Sequence, residues 1–377
     1  MLTLKGIIAG IFMRLCGILP LKNKVVLISF DGKMFGDNPQ AIYEEMRKNH
    51  PELDYIWIMT DPNAVIEGAK VVKAYSLKSV YHFATAKLWI SNSRLRPWMV
   101  KRKKQYYVQT WHSDVCLKKI EKDAEHSLPE DYLQAAIHDS QIADLMISGS
   151  EFRSQSYRTS FWYSGEILEL GSPKADIFYK DKSEFTKKVK EHFNLSSSVK
   201  IALYVPTFRA DSSIDCYNID YQTLLDQLCN KYGGDWVIIV RLHPKIAEKQ
   251  DLITYSKNII NGTTYNVTNE LIVASNVIIT DYSGCMFAGL EADIPVFLYA
   301  SDLSNYLKDR GTYFSFSDLP FPLAQNNSEL HRIIMEFDTC EYRKKATMFK
   351  KKIGFFNNGN SSELVTDNIM KRIDWRN

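Results

Sequence analysis

The chain has 377 residues, 45% of them hydrophobic and 24% charged, an ordinary globular composition that excludes disorder on a large scale. Its formal charge is only +3, from 47 basic and 44 acidic residues, and by itself this does not indicate nucleic-acid binding. The length is too great for one ordinary core and suits two domains.

The first predicted element is an amphipathic helix within residues 1–22. Lys5 and Arg14 interrupt this segment, so it lacks the roughly 20 apolar residues that a membrane span needs, and no signal-peptide cleavage pattern follows it. The helix could pack on its own domain, or it could lie in the membrane interface with its cations towards the headgroups, which is the position we expect. Its apolar stripe has helical spacing and consists of Leu4, Ile7, Ile8, Ile11, Phe12, Leu15, Ile18 and Leu19, and its flanking cations include Lys22 and Lys24.

Beyond this helix, short runs of β-branched and apolar residues recur, each followed by a helical pattern. This alternation indicates parallel sheets with helices on both faces. The fold class is therefore α/β and GT-B-like, with two Rossmann-like domains at 23–175 and 176–377 whose parallel sheets face a central cleft. Ligands bind such sheets at the carboxyl ends of the strands. The predicted strands are 25–30, 55–59, 71–75, 88–91, 106–111, 145–148, 167–170, 201–206, 236–241, 277–280 and 296–299.

Two strand ends of the first domain carry polar residues. After the first strand come Gly32 and Lys33, which could approach a ligand, and then Asn38-Pro39, which is typical of a helix N-cap with proline in the first turn. His112 follows strand 106–111, where a ligand is expected. Histidine titrates near neutrality, so His112 could accept a proton from an attacking hydroxyl, although a lone histidine is more often structural.

In the second domain, cationic and hydroxyl side chains follow three predicted strands. Thr207 and Arg209 come after the first of these, and Arg241 and His243 lie on the same side of the second, with Lys245 next to them. The third strand ends in Asp281-Tyr282-Ser283-Gly284, just before a helical stretch whose amino terminus favours an anion. Ser283 could instead simply cap that helix. Together, these cations and backbone amides could balance a pyrophosphate without a metal.

No metal site or disulfide framework is predicted. The six cysteines are scattered without a Cys-x-x-Cys pair, and there is no Asp-x-Asp motif for a nucleotide-bound metal. This cysteine usage fits a reducing cytosol.

Taken in order, these motifs resemble those of the CDP-glycerol:poly(glycerophosphate) glycerophosphotransferases, the teichoic-acid primases and polymerases, which have a GT-B fold. The resemblance covers nearly the whole chain, from about residue 25 to 373. Its markers are Gly32-Lys33, Asp37-Asn38-Pro39, Gln109-Thr110-Trp111-His112, Gly171-Ser172-Pro173-Lys174-Ala175-Asp176, Pro206-Thr207-Phe208-Arg209, Arg241-Leu242-His243-Pro244, Asp281-Tyr282-Ser283 and Gly359-Asn360-Ser361-Ser362-Glu363.

The resemblance implies roles for these residues. His112 would be the catalytic base and His243 would stabilise charge on the pyrophosphate, with no cofactor. The donor-binding residues would be Trp111, Ser113, Lys174, Pro206, Thr207, Arg209, Arg241, Lys245, Asp281, Ser283 and Gly284.

Three departures from the family pattern bear on the donor site. Ser113 stands where the family has glycine, and Gly284 stands where it has a second serine. Ala288 replaces an aspartate, for which Glu291, one helical turn later, could substitute only in part.

The resulting hypothesis is transfer of a polyol phosphate, glycerol phosphate first, from CDP-glycerol or a related CDP-polyol. The acceptor would be a polyprenyl-linked glycan at the cytoplasmic face of an anionic membrane surface, for teichoic acid or capsule-type polymer, with CMP released and no nucleic acid involved. The alternatives are a nucleotide-sugar glycosyltransferase of the same fold and a catalytically impaired membrane-bound assembly module, which Ser113 and Ala288 would favour.

Overall fold

The computed structural model describes residues 4–209, 217–243, 246, 253–306 and 311–375. The chain divides into two compact units. Unit 1 contains Met1–Asp114, Ile120–Asp176 and Gly354–Asn377, and unit 2 contains Val115–Lys119 and Ile177–Ile353.

Each unit is built on one sheet whose paired strands run parallel. The order in unit 1 is β3-β2-β1-β4-β5-β6-β7 and in unit 2 it is β10-β9-β8-β11-β12-β13, the Rossmann order in both cases. The predicted α/β class with two Rossmann-like units is therefore confirmed. The strands are β1 (Lys22–Ile28), β2 (Asp54–Met59), β3 (Lys70–Lys73), β4 (Ala86–Ser91), β5 (Tyr106–Gln109), β6 (Leu145–Ile147), β7 (Glu166–Leu168), β8 (Lys200–Val205), β9 (Trp236–Val240), β10 (Ile259–Asn261), β11 (Val277–Thr280), β12 (Val296–Tyr299) and β13 (Leu323–Ala324).

Helices connect most of the consecutive strands, as is usual for parallel sheets, although none lies between β2 and β3 or between β4 and β5. They are α1 (Leu4–Cys16), α2 (Asp37–Asn49), α3 (Leu77–Thr85), α4 (Glu130–Ile142), α5 (Glu151–Thr159), α6 (Ser183–His192), α7 (Tyr221–Tyr232), α8 (Thr268–Ala274), α9 (Cys285–Glu291), α10 (Leu303–Tyr306), α11 (Asn327–Met335), α12 (Thr339–Ile353) and α13 (Ser361–Lys371).

Helices cover both faces of the unit 1 sheet. Val26 and Ile28 of β1 belong to a core cluster that includes residues of α1, α3 and α5. The alternate residues Val25 and Leu27 belong to a second cluster with residues of α2 and α13. Burial on both faces explains why these strands are continuous apolar runs rather than alternating ones.

Helix α1 has one packed side and one exposed side. Met13 and Cys16 are buried in the cluster that includes α3, so the helix does pack on its own unit. Residues of the opposite side, among them Leu4, Ile8 and Leu15, are 53–73% exposed. Among the described residues, no helix is long and apolar enough to cross a membrane. The interfacial position of α1 stays a prediction.

The structure differs from three sequence expectations. The last helix, α13, packs against α2 and belongs to unit 1, although residues 176–377 were expected to form one domain. Asn38 is not the N-cap of α2, because the helix begins at Asp37 and its N-cap residue is Gly36. Strands β10 and β13, of three and two residues, were not predicted.

Candidate functional site

In unit 1, His112 lies just beyond the carboxyl end of β5, as predicted. The residue retains solvent exposure, and its Nδ1 lies 3.1 Å from the backbone oxygen of Asn92, the residue that follows β4. Because a carbonyl oxygen only accepts, Nδ1 carries the proton. The neutral ring then presents Nε2 as a proton acceptor.

The pKa of His112 favours this neutral form. Desolvation by the surrounding protein lowers the pKa of His112 to about 4, and Lys174 and Arg153 lower it as well, while Asp37 and the hydrogen bond to Asn92 act in the opposite direction. The residue keeps contact with solvent on one side. Because the shift is downward, the imidazole is neutral at pH 7 and can act as a base.

Lys174, which the sequence assigned to donor binding, lies beside His112. Its Nζ donates to the backbone oxygen of His112 at 2.5 Å and to Asp37 Oδ2 at 2.7 Å. Its backbone N–H donates to Asn38 Oδ1 at 3.1 Å, and Asn38 Nδ2 donates to the backbone oxygen of Trp111 at 3.3 Å. Asn38 therefore ties three segments of unit 1 together instead of capping a helix.

Three buried polar atoms beside this arrangement lack a hydrogen-bond partner in the described part of the chain. They are Trp111 Nε1, Asn92 Nδ2 and Asp37 Oδ1. Native proteins rarely leave buried polar atoms without partners, and a cluster of such atoms is typical of a site that receives a ligand.

Ser113 does not obstruct this site. Arg153, which is fully buried, donates from Nε to the backbone oxygen of Ser113 at 2.8 Å and from Nη2 to its hydroxyl at 3.1 Å. The hydroxyl that distinguishes this chain from the family pattern is thus held by a buried arginine.

Sequence reasoning missed Asn92, Arg94 and Arg153. Asn92 could have been found, because it is a polar residue directly after a predicted strand. Arg94 lies 5.0 Å from the ring of Trp111 and forms buried ion pairs with Glu121 and Asp139. Its partners are 27 and 45 residues away in the sequence, so no local pattern marks them.

In unit 2, Asp281 organises the loop after β8. It accepts from the Thr207 N–H at 2.8 Å and from the Thr207 hydroxyl, and it forms an ion pair with Arg209 at 2.8 Å. Arg209 also pairs with Asp302 at 2.6 Å. Since two carboxylates balance this guanidinium, Arg209 holds the loop in place, and the buried Pro206 precedes it at the end of β8.

Arg241 and His243 have different surroundings. Arg241 is buried and donates to the backbone oxygens of Gly262 at 3.3 Å and Thr263 at 3.2 Å, and also to that of Tyr265. Burial lowers the pKa of Arg241, and Cys285 partly opposes the shift. His243 is exposed, with its ring centroid 6.0 Å from that of Phe208. Lys245 lies outside the described residues.

Gly284, not Ser283, is the N-cap residue of α9, so Ser283 does not cap this helix. The Ser283 hydroxyl accepts from the Cys285 N–H at 3.3 Å. A Cβ added at Gly284 would meet nothing within 4 Å, so this glycine leaves open space. Glu291 is buried and accepts from the Tyr179 hydroxyl at 3.0 Å. Its carboxylate is therefore engaged at that position.

Among the described residues, no group of three or more histidine, cysteine, aspartate or glutamate side chains could hold a metal ion.

Comparison with known proteins yields one family. The family model for CDP-glycerol:poly(glycerophosphate) glycerophosphotransferase matches residues 11–371. The chain is 32% identical to a teichoic acid poly(glycerol phosphate) polymerase of Staphylococcus epidermidis, with 93% of this chain and 50% of that protein covered. It is 30% identical to a polymerase of the same description from Bacillus spizizenii, with 96% of each covered. The chain therefore spans half of the first relative and nearly all of the second.

A solved structure agrees with these relatives. The wall teichoic acid polymerase TagF superposes with a TM-score of 0.85 at 30% identity, over 97% of this chain and 93% of that one. A histidine-to-asparagine variant of TagF, solved after a soak with CDPG, has the same TM-score.

Proposed function

Because the chain belongs to the CDP-glycerol:poly(glycerophosphate) glycerophosphotransferase family, we propose that it transfers glycerol phosphate from CDP-glycerol to a lipid-linked glycan in teichoic acid synthesis. The acceptor hydroxyl attacks the β-phosphorus of the donor and forms a new phosphodiester bond. The bond between that phosphorus and the bridging pyrophosphate oxygen breaks, and CMP leaves.

One observation carries the catalytic part of this proposal. The backbone oxygen of Asn92 accepts from Nδ1 of His112, so the neutral ring has its lone pair on Nε2, which takes the proton of the attacking hydroxyl. The low pKa of His112 keeps it unprotonated before the reaction. The Lys174 ammonium donates to the backbone oxygen of His112 and forms an ion pair with Asp37. These two contacts fix the residues around the base.

The donor residues divide into two groups by their surroundings. His243, Ser283 and Gly284 have exposed or partly exposed positions after strands of unit 2, where they can contact the donor phosphates. Arg209, Asp281 and Arg241 are bound to neighbouring loops, and we assign them the task of shaping the pocket. Trp111, Ser113, Lys174, Pro206, Thr207 and Lys245 complete the proposed donor set. Together they would balance the pyrophosphate without a metal ion.

The proposal places the protein at the cytoplasmic face of a membrane. The acceptor is polyprenyl-linked, and α1 offers an apolar surface on its exposed side. A helix with such a face, flanked by Lys5, Arg14 and Lys22, binds in the interface of an anionic membrane.

Release of CMP tests the proposal directly. The protein is incubated with CDP-glycerol or CDP-ribitol and membrane vesicles that carry lipid-linked glycan, with UDP- and GDP-sugars as controls. We expect CMP from CDP-glycerol first, at the same rate in the presence of a chelator. Release of nucleotide from a sugar donor alone would replace the proposal with the glycosyltransferase alternative.

A further inference from the structure

Backbone strain in the described chain is concentrated at one edge of the unit 1 sheet. Among the described residues, eight other than glycine have positive φ angles, and five of these follow carboxyl ends of unit 1 strands: Phe30, Asp31, Asp37, Tyr75 and Trp111. Such a conformation is unfavourable and persists only when the surrounding structure enforces it, which happens most often at functional sites. Asp37 and Trp111 belong to the site around His112, and the other three do not.

Two of these residues bind each other and a third side chain. Asp31 accepts from Arg96 at 2.7 Å and from the hydroxyl of Tyr75, and the Arg96 guanidinium lies 4.7 Å from the Tyr75 ring. We call Asp31, Tyr75 and Arg96 the Asp31 triad. About a third to a half of each side chain is exposed. The triad therefore presents a cation, a carboxylate and an aromatic face to solvent.

The Asp31 triad is fixed to the same residues as His112. The Phe30 N–H donates to Asn92 Oδ1 at 2.7 Å, and the Asp31 N–H donates to Ser93 Oγ at 3.0 Å. Asn92 is also the residue whose backbone oxygen accepts from His112. The ring of Phe30 lies 6.0 Å from that of His112. The triad and the base thus share one supporting segment.

The other end of that segment reaches α1. A shallow indentation that is partly open to solvent is lined by the Asp31 triad together with Ser93 and Trp98. Trp98 packs against Gly10 of α1, and the N–H of Val100 donates to Met13 Sδ at 3.3 Å. Residues 92–100 therefore run from the hydrogen-bond partner of His112 to the helix that we propose lies in the membrane surface.

We propose that the Asp31 triad and its indentation form the acceptor subsite, which binds the polyol-phosphate or glycan end of the lipid-linked acceptor. This inference rests on the proposed function. The ion pair engages Nη2 of Arg96, and a guanidinium carries five donors in a geometry that matches phosphate oxygens. The Asp31 carboxylate accepts from polyol or sugar hydroxyls, and the Tyr75 ring packs against their C–H groups.

Separate kinetics for acceptor and donor test this subsite. The acceptor probe is a synthetic polyprenyl-diphosphate glycan that ends in glycerol phosphate. The variants are Arg96→Gln, Arg96→Lys and Asp31→Asn. Asparagine is chosen at position 31 because it tolerates the positive φ found there. We expect Arg96→Gln to raise the acceptor KM by about 10- to 100-fold, the range for loss of a charge-assisted hydrogen bond. Donor KM and the slow release of CMP without acceptor change less than twofold. Arg96→Lys recovers part of the loss because it keeps the charge.

Arg47→Gln is the matched control, because Arg47 also forms an exposed ion pair in unit 1, with Glu67 at 3.2 Å. It should leave the acceptor KM unchanged. Arg96→Gln could instead weaken the acceptor KM and the acceptor-independent release of CMP by the same factor and lower the melting temperature. That result would show that the Asp31 triad only supports the turn, and it would overturn the inference.

Direct binding gives an answer that does not depend on turnover. Radiolabelled glycerol phosphate is titrated against protein saturated with CMP, which occupies the donor side. The wild type should bind it and Arg96→Gln should bind it at least tenfold more weakly. Identical binding by the two proteins overturns the subsite, while absence of CMP release from any donor overturns only the proposed function.

Discussion

A single backbone oxygen selects the tautomer of neutral His112. Asn92 lies in the turn after β4, and its carbonyl oxygen accepts a hydrogen bond from the Nδ1–H of His112. In the neutral ring this leaves the lone pair on Nε2, the atom that a general base uses. A side chain at Asn92 is not needed for that contact, so substitutions there act through the turn rather than through the base.

We predict that His112→Ala lowers turnover by about 10²–10⁴, the range for removal of a general base. Donor affinity should hardly change, because a base on the acceptor side makes few contacts with the nucleotide before the reaction. His243→Ala is the comparison variant and should weaken donor binding as well as slow the reaction. Nucleotide titration, CMP release and thermal melts distinguish these effects. A stable His112→Ala protein with wild-type turnover would remove the mechanism.

The pH profile tests the same residue. A base must be neutral to act, so activity is lost as pH falls through the pKa of His112 in the folded protein. Since that pKa is lowered to about 4, the acid limb of kcat/KM should lie near pH 4 rather than near 6.5. An acid limb near 6.5 that disappears in His112→Ala would contradict the desolvated environment.

Arg241→Ala should lower stability as well as donor binding. Its guanidinium donates to three backbone oxygens of the loop after β10, and the substitution leaves those buried oxygens without their donor. We expect a loss of at least about 2 kcal/mol in the free energy of unfolding, measured with urea. Weaker donor binding at unchanged stability would show instead that Arg241 contacts the donor directly.

At the scale of single residues, the sequence identified side chains better than it identified their tasks. The motifs marked His112 as the candidate base and Lys174 as a donor contact, and in the structure the Lys174 ammonium donates to the backbone oxygen of His112. Asn38 was interpreted as a cap because capping is a local pattern. Its actual partners, near Trp111 and Lys174, are 73 and 136 residues away, and such distant contacts leave no mark on a local motif.

At the scale of elements, α1 offers a test of membrane binding. We predict that Ile8→Ser, Ile11→Ser and Leu15→Ser together reduce binding to neutral phosphatidylcholine vesicles at least tenfold, because interfacial affinity follows the apolar area that is buried. These residues are 53–60% exposed, so the melting temperature should not change. Removal of the whole helix is a poorer test, since Met13 and Cys16 are in the core.

The matched control for α1 is Met348→Ser, which removes a side chain of 74% exposure from α12 in unit 2. Its vesicle binding should equal that of the wild type. If the triple α1 variant sediments with vesicles as well as the wild type does, α1 is not the anchor.

Helix α13 should be part of the stability of unit 1. Ile369 is fully buried against the sheet face that α2 covers. Ile369→Ala should therefore lower the free energy of unfolding by about 2–5 kcal/mol, from lost burial and the cavity left behind. Leu364→Ala, on the exposed side of the same helix, is the control and should change it little. Equal urea midpoints for the two variants would show that α13 docks only loosely.

Elements were predicted well where their pattern is local. The strands at 277–280 and 296–299 have the predicted bounds, and α9 begins at Cys285, directly after Gly284, where a helical stretch was predicted. The unit to which α13 belongs could not be predicted, because its apolar stripe fits any apolar surface and only tertiary packing selects one. The two missed strands lie at the outer ends of the unit 2 sheet, where short pairing suffices.

For the whole molecule we predict a loss of stability in mild acid. Burial, and then Lys24 and other nearby lysines, lower the pKa of His82 to about 4, and His112 shifts in the same direction. Between these values and the ordinary 6.5, the unfolded chain binds more protons, so stability falls as pH drops from about 6.5 to about 4. For the buried His82 this contribution is about 3 kcal/mol.

Urea titrations at several pH values measure this effect. His82→Gln should flatten the dependence in part, because His112 retains its own contribution. His126→Gln, at an exposed position, is the control and should leave the slope as it is. An unchanged slope in His82→Gln would contradict the assignment to His82.

The path of the chain between the two units determines when each can be completed during translation. The chain passes from one unit to the other four times, at residues 114/115, 119/120, 176/177 and 353/354. Unit 2 has all its residues once position 353 has left the ribosome, but unit 1 still waits for α13. Strands β1–β7 therefore emerge early and wait for α13, the helix that completes one covered face of their sheet. At about 5–20 residues per second this interval lasts roughly ten to forty seconds. The half of the protein that is made first is the last to close its core, and during that interval it is the part most exposed to chaperones and proteases.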